Sequence, residues 1–255
     1  MADTTFRSII HIYTSPFFKS IYSRKSTVKL WFQNRLDILI QFLKNSVYAI
    51  LYKGKYITQA DKANGKHWLL ISSENNKNAL SFVSKDLDNT IWVSTSTNPI
   101  SGQKQVHRLS FHHSLRYKLK YFSNVKKVKD REGSYSSKIA NKIFLATGIY
   151  EASLQILKKH KPQSIFFAND HNIKNRALLH AALELGIKTI YIQHAHVTPS
   201  FPPLIFGLSL LEGQSSHDTY KKISEIKSVV HLVGMPKFDP YSCLLYTSPS
   251  PRDRG

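Results

Sequence analysis

Residues Ser164 to His194 read SIFFANDHNIKNRALLHAALELGIKTIYIQH, and their rhythm decides the fold. SIFFAND is a short apolar run closed by polar residues. KNRALLHAALELG has helical spacing and stops at Gly186. KTIYIQH is a second apolar, β-branched run, closed by Gln193 and His194. Short apolar runs separated by a helical pattern of roughly ten residues define a βαβ unit, and hence a parallel sheet.

The same rhythm extends both ways. Downstream, the apolar run LIFGLSLLEG is followed by SSHDTYKKI as a helix and SVVHLVG as a strand. Upstream, HWLLIS (His67–Ser72) and TIWVST (Thr90–Thr95) read as strands around a polar, helix-forming stretch. SSKIANKIFLATGIYEASLQILKKH reads as one or two helices, closed by Lys158, Lys159 and Pro162. The expected fold is α/β, a Rossmann-like parallel sheet domain over residues 61–233.

Ligands of open parallel sheets bind outside the carboxyl ends of the strands. Three strands here end in polar residues. One ends in Asn169, Asp170 and His171, the next in Gln193, His194, Ala195 and His196, and the last in Gly234-Met235-Pro236-Lys237-Phe238-Asp239. If consecutive strands are neighbours, the first two groups meet in one crevice. Glu212 and Gly213 mark another strand-to-helix junction, where the carboxylate either points into the same crevice or faces solvent. The prolines Pro199, Pro202 and Pro203 stiffen the loop after the histidines.

Several chemistries suit such a crevice. A histidine beside Asp170 is a general acid or base adjustable across neutral pH. Histidine, asparagine and backbone N–H groups also bind phosphate. His194 and His196, two apart on a strand, point the same way and suggest a metal. A catalytic zinc needs three protein ligands, with Asp170 or His171 as the third, and the loop that follows adds no carboxylate. No metal is expected. The remaining reading is structural, with both histidines satisfied by loop carbonyls.

Composition narrows the class. The chain is 42% hydrophobic with a net charge of +20, enough for a packed core and an excess that either suits anionic lipid, nucleic acid or a phosphorylated substrate or simply solvates the surface. One basic cluster runs from Arg24 to Lys55 and a second from Arg108 to Lys129. Residues 1–60 read as a basic amphipathic helical segment, with a helix from about Val28 to Leu51 set either in a membrane interface or against the core. No window approaches the ~20 uncharged apolar residues of a membrane span, and no secretory signal is evident. At the other end Cys243 to Asp253, CLLYTSPSPRD, is what the transposon-end adapter of sequencing libraries encodes in one frame. Residues 243–255 therefore read as an adapter-derived artefact, and the only cysteine goes with them. A chain without cysteine fits a reducing cytoplasm.

FANDHNIKNRALLHAALELGIKTIYIQHAHV, then LLEG and VHLVGMPKFD, resembles bacterial GT-B-fold glycosyltransferases of surface-polysaccharide biosynthesis. Capsule polysaccharide transferases and CDP-glycerol glycerophosphotransferases are among them. Gln193-His194, Gly213 and Gly234-x-Pro236-x-x-Asp239 carry the resemblance over about Ser164–Asp239, with Ala195 where those families have glycine. It implies the N-terminal half of a GT-B fold, an acceptor-side domain over 61–233 and the start of a truncated nucleotide-binding domain at 234–242, with the donor site missing. By that resemblance His194 is the general base or a phosphate-stabilising group, and Asp170 and Glu212 are further catalytic candidates. Asn169, His171, Gln193, His196 and Gly213 are candidates for binding substrate. No cofactor is implied; the donor is a nucleotide-activated sugar or polyol phosphate. The acceptor is lipid-linked or a glycan, met at an anionic membrane surface, on the inner face of the cytoplasmic membrane.

Two alternatives remain. A sugar-nucleotide 2-epimerase-like enzyme keeps the fold and the strand-end histidines and changes the reaction. A basic nucleic-acid- or membrane-binding protein uses the charge alone. The sequence has no helix-turn-helix, zinc knuckle or RNP-like strand, so no specific nucleic acid is expected.

Overall fold

The computed structural model describes residues 3–16, 19–20, 55–56, 63–96, 105–111, 126–130 and 135–235, with isolated positions 36, 40, 43, 124 and 132. Two short helices come first, α1 (Asp3–Ile9) and α2 (His11–Thr14), then strand β1 (Lys55–Tyr56). They are followed by β2 (His67–Ile71), α3 (Glu74–Asp86), β3 (Thr90–Ser94), β4 (His107–Arg108), α4 (Tyr135–Lys138) and α5 (Ala140–His160). The last stretch runs β5 (Ser164–Phe167), α6 (Ile173–Glu184), β6 (Lys188–Ile192), β7 (Leu208–Leu211), α7 (Gln214–Ile223) and β8 (Val229–Leu232).

The eight strands form one sheet in the order β1-β4-β3-β2-β5-β6-β7-β8, and every pairing is parallel. After the edge strand β1 the chain enters near the middle at β2, walks outward through β3 to β4 beside β1, returns across α5 to β5 beside β2, and walks the other way. That is the doubly wound arrangement, with its topological switch between β2 and β5. The α/β parallel sheet expected from the alternating runs is therefore present.

Side-chain alternation divides the core. Leu69 and Ile71 of β2 face α3 and bury against Ala79, Leu80 and Val83. Trp68 and Leu70 face the opposite way, into a larger cluster with Ile143 and Tyr150 of α5 and Leu178 and Ala182 of α6. Both faces of the central strands are covered, which is why these strands read as unbroken apolar runs.

Local chemistry sets the boundaries. Ser73 caps α3 by accepting the Asn76 N–H, and Asn172 caps α6 by accepting the Asn175 N–H. Lys161, in the left-handed region just before Pro162, closes α5. Gly186 takes φ +67°, the turn that sends α6 into β6. The segment expected as one or two helices is two, broken at Ile139.

Two features differ from the sequence reading. The first helix, placed there in a separate basic segment, joins the sheet's core, where Phe6, Ile9 and Ile10 are buried beside α5 and α6. Strands β1 and β4 have only two residues each, too short to show a period. The helix expected over Val28–Leu51, apart from single positions, and the stretch Pro236–Gly255 lie outside the described residues.

Candidate functional site

The switch-point crevice is lined from both sides by helix starts that follow β2 and β5. On one side Ser72 follows β2, and its backbone N–H and hydroxyl both donate to Asn76 Oδ1, at 3.2 and 2.8 Å. That fixes the orientation of the Asn76 amide and aims its Nδ2 outward. The group it meets is His194 Nε2, 3.3 Å away. His194 leaves the tip of β6, and Asn76 stands at the start of α3 beyond β2. The imidazole thus reaches past the end of β5 and lies over the switch point. Since Nδ2 only donates, Nε2 accepts, which puts the histidine proton on Nδ1.

Gln193 does the joining beneath it. Its Nε2 donates to Ala195 O at 2.9 Å, Ser216 Oγ at 2.8 Å and Glu212 Oε2 at 3.1 Å. Its Oε1 accepts the Glu212 N–H at 3.0 Å. One buried amide therefore ties the tip of β6 to the tip of β7 and to α7. Glu212, held this way, keeps its other oxygen, Oε1, buried with no hydrogen-bond partner among the described residues. A buried carboxylate oxygen without a donor is costly and calls for an explanation. At Gly213, a Cβ would meet nothing within 4 Å among the described residues, so there is room beside the Gly213 backbone.

The tip of β5 is organised by a buried ion pair. Asp170 is 3% exposed, Arg176 is 1% exposed, and Arg176 Nη1 donates to Asp170 Oδ2. Arg176 also donates to Ser8 Oγ of α1, through Nε at 3.0 Å and Nη2 at 2.7 Å, and to Pro203 O at 2.8 Å. The Asp170 carboxylate, a catalytic candidate on sequence, is thus occupied in bracing α1 and the 193–207 loop. It is a positioning group in this geometry. Asn169 folds its side chain back to accept the His171 N–H at 2.8 Å, and its carbonyl accepts from Asn175 Nδ2 at 2.7 Å.

His171 sits edge-on to Phe201, ring centroids 3.9 Å apart. Burial lowers its pKa; Asp170 offsets this in part and Arg176 adds to it. His11 of α2 stands close by. Its pKa is lowered by burial first and by Arg176 second, with Asp170 and a hydrogen bond to the Phe201 backbone opposing. His11 also lines a cavity of about 280 Å³ between α1, α2 and residues 126–132, walled by Phe6, Ile10, Lys19 and Lys127.

The structure brings His194, Gln193, Glu212 and Gly213 to one row of neighbouring strand tips, and Asp170, His171 and Asn169 to the tip of β5 beside them. His196 is exposed on the loop. Among the described residues no group of three or more His, Cys, Asp or Glu side chains is placed to hold a metal ion, and no helix is long and apolar enough to cross a membrane. The sequence reading missed Asn76, Arg176, His11 and Lys174. Only Lys174 carried a local signal, a lysine directly inside the cap of a helix that follows a polar strand tip.

No protein-family model, no curated protein and no solved structure matches the chain.

Proposed function

We propose that this chain is the acceptor-side domain of a GT-B-type transferase that builds bacterial surface polysaccharide. The observation that carries the reading is the Glu212 oxygen left buried without a donor among the described residues, beside Gln193 at the tips of adjacent parallel strands. An acceptor hydroxyl answers it. One hydroxyl of the acceptor donates to Glu212 Oε1, and the oxygen of a neighbouring hydroxyl attacks the activated carbon or phosphorus of a nucleotide-linked sugar or polyol phosphate. The bond to the nucleotide breaks, the nucleotide leaves as its phosphate, and the proton of the attacking hydroxyl passes to His194 Nε2 in place of the Asn76 donor. Gln193 holds the two catalytic candidates in register, and Asp170, through Arg176, fixes the loop that follows.

The order Gln193-His194, Gly213, Gly234-x-Pro236 supports the transferase class, and the net charge of +20 suits an acceptor carried on an anionic lipid. Equilibrium dialysis against labelled polyol phosphate and saccharide oligomers tests the reading. The chain binds one of these classes, and Glu212→Ala weakens it by about tenfold, the worth of one hydrogen bond to a charged group. Equal affinity of Glu212→Ala and the unsubstituted chain would remove Glu212 from the site and the proposal with it.

A further inference from the structure

Strand β8 closes one end of the sheet, and among the described residues no strand lies beyond it. The N–H groups of Val229 and Val233 donate inward, to Gly207 O and Leu211 O at 3.1 and 2.9 Å. Successive residues of a strand turn their hydrogen-bonding groups to alternate sides. Val230 and Leu232 therefore present their N–H and C=O groups outward, along the open edge.

Open edges are commonly blunted by shortness, lysine, proline or a bulge. Strand β1, at the other end of the sheet, has only two residues and begins with Lys55. β8 is longer and pairs with β7 in unbroken register. From Val229 to Val233 the chain reads VVHLV, with no proline, lysine, arginine or carboxylate. Of the seven large apolar side chains exposed among the described residues, four (Val229, Leu232, Val233 and Met235) lie in and just after this strand. A concentrated apolar patch marks an interaction surface.

The approach to the edge is basic. Lys221 and Lys222 stand in the last turn of α7, the helix that leads into β8, and Lys227 comes two residues before the strand; all three are exposed. Glu225 is the only carboxylate from Thr219 to Met235. A second copy of the chain would bring the same lysines and a further net charge of +20, so charge disfavours self-pairing and favours an acidic partner.

We propose that the outer edge of β8 receives an extended segment of an acidic partner protein, added to the sheet as a further strand. Val230 and Leu232 supply the backbone donors and acceptors. Apolar side chains of the segment cover Val229, Leu232 and Val233, and its carboxylates lie at the end beside Lys227. This docking is independent of the strand-tip chemistry and stands even if Glu212 and His194 bind no acceptor.

Amide NMR of the ¹⁵N-labelled full chain, titrated with a synthetic valine–threonine strand peptide ending in a pair of glutamates, tests this. Binding is expected to slow hydrogen exchange at Val230 and Leu232. Replacing the peptide's glutamates by lysines weakens it by about tenfold or more, and Lys227→Glu reverses that preference. Leu232→Pro removes an outward donor and leaves the bonds to β7 in place, so binding is lost from a folded chain. If that variant does not fold, Leu232→Lys, a charge of the kind natural edges use, gives the same loss. No slowing at Val230 and Leu232, equal affinity for the two peptides, or binding unchanged in the Leu232 variants would overturn the proposal. Self-association that is lost in Leu232→Lys would also overturn it, because the occupant would be a second copy. Slow exchange at both amides in a monomer without peptide would overturn it too, by giving the edge to another segment of this chain.

Discussion

Single residues that are buried against their chemistry are the most telling part of this molecule. Lys174 has a pKa of about 8 against an ordinary 10.5. Between those values the unfolded chain holds a proton that the folded chain has lost, so this group makes stability rise as pH climbs from about 8 to 10.5. Lys174→Met removes both the cation and that slope. At pH 7 it is expected to stabilise the fold by about 1–2 kcal/mol, read as a higher urea midpoint; a lower midpoint would mean that Lys174 serves the fold. Histidines give the opposite end of the curve. His180 is pushed down to about 3, by burial first and Arg176 second, and His11, His160 and His171 are lowered chiefly by burial. Below their ordinary 6.5 the unfolded chain takes up protons that the folded chain refuses. Stability then falls with pH, by up to about 1.4 kcal/mol per unit for each histidine. Urea midpoints at pH 7.5, 6 and 5 should show the fall, and His180→Gln should flatten it. A curve unchanged by that substitution would count against a buried, neutral His180.

Elements are held to one another here by a few polar clamps rather than by apolar contact alone. Arg176 ties α6 to α1 through Ser8, to the 193–207 loop through Pro203, and to the β5 tip through Asp170. Asp170→Asn leaves the guanidinium buried without its counter-charge, at a cost of about 3–5 kcal/mol. Denaturant unfolding measures the loss, and a cost under about 1 kcal/mol would show that the pair is not buried as described. Arg176→Lys is no substitute, because one ammonium cannot span three partners in a plane. The loop is fixed from the apolar side as well, where Phe206 stacks on Tyr191 at 4.9 Å. Most of the elements themselves were legible in the sequence. β2, β3, β5, β6 and β8 stand out as apolar runs between polar punctuation, and α6 as the helix between two of them. The partners were not legible. Asn76 meets His194, Lys174 meets Thr95 and Arg176 meets Ser8 only once strand order is known. β1 and β4, at two residues each, leave no periodic trace.

At the scale of the whole molecule, the doubly wound order makes the account coherent. It places β2 and β5 at the switch, draws His194 over the gap between them, and sets Glu212 on one flank and Lys174, on the Thr95 carbonyl, on the other. The site was half visible in advance. The tips of β5, β6 and β7 announced their polar residues, whereas Asn76, which meets His194, lay in a polar stretch that reads only as helix. The central claim is that His194 receives the proton of an acceptor hydroxyl while Asn76 gives way. The direct measurement is the imidazole nitrogen spectrum of the ¹⁵N-labelled chain, titrated separately with polyol phosphate or saccharide oligomers and with nucleotide-activated donors. The account predicts that an oligomer shifts His194 Nε2 and that His194→Gln removes the change, with nucleotide alone leaving it untouched. A His194 signal indifferent to every oligomer, or one moved only by a nucleotide sugar, would contradict it, and the second result would point to epimerase-like chemistry at the same strand tips.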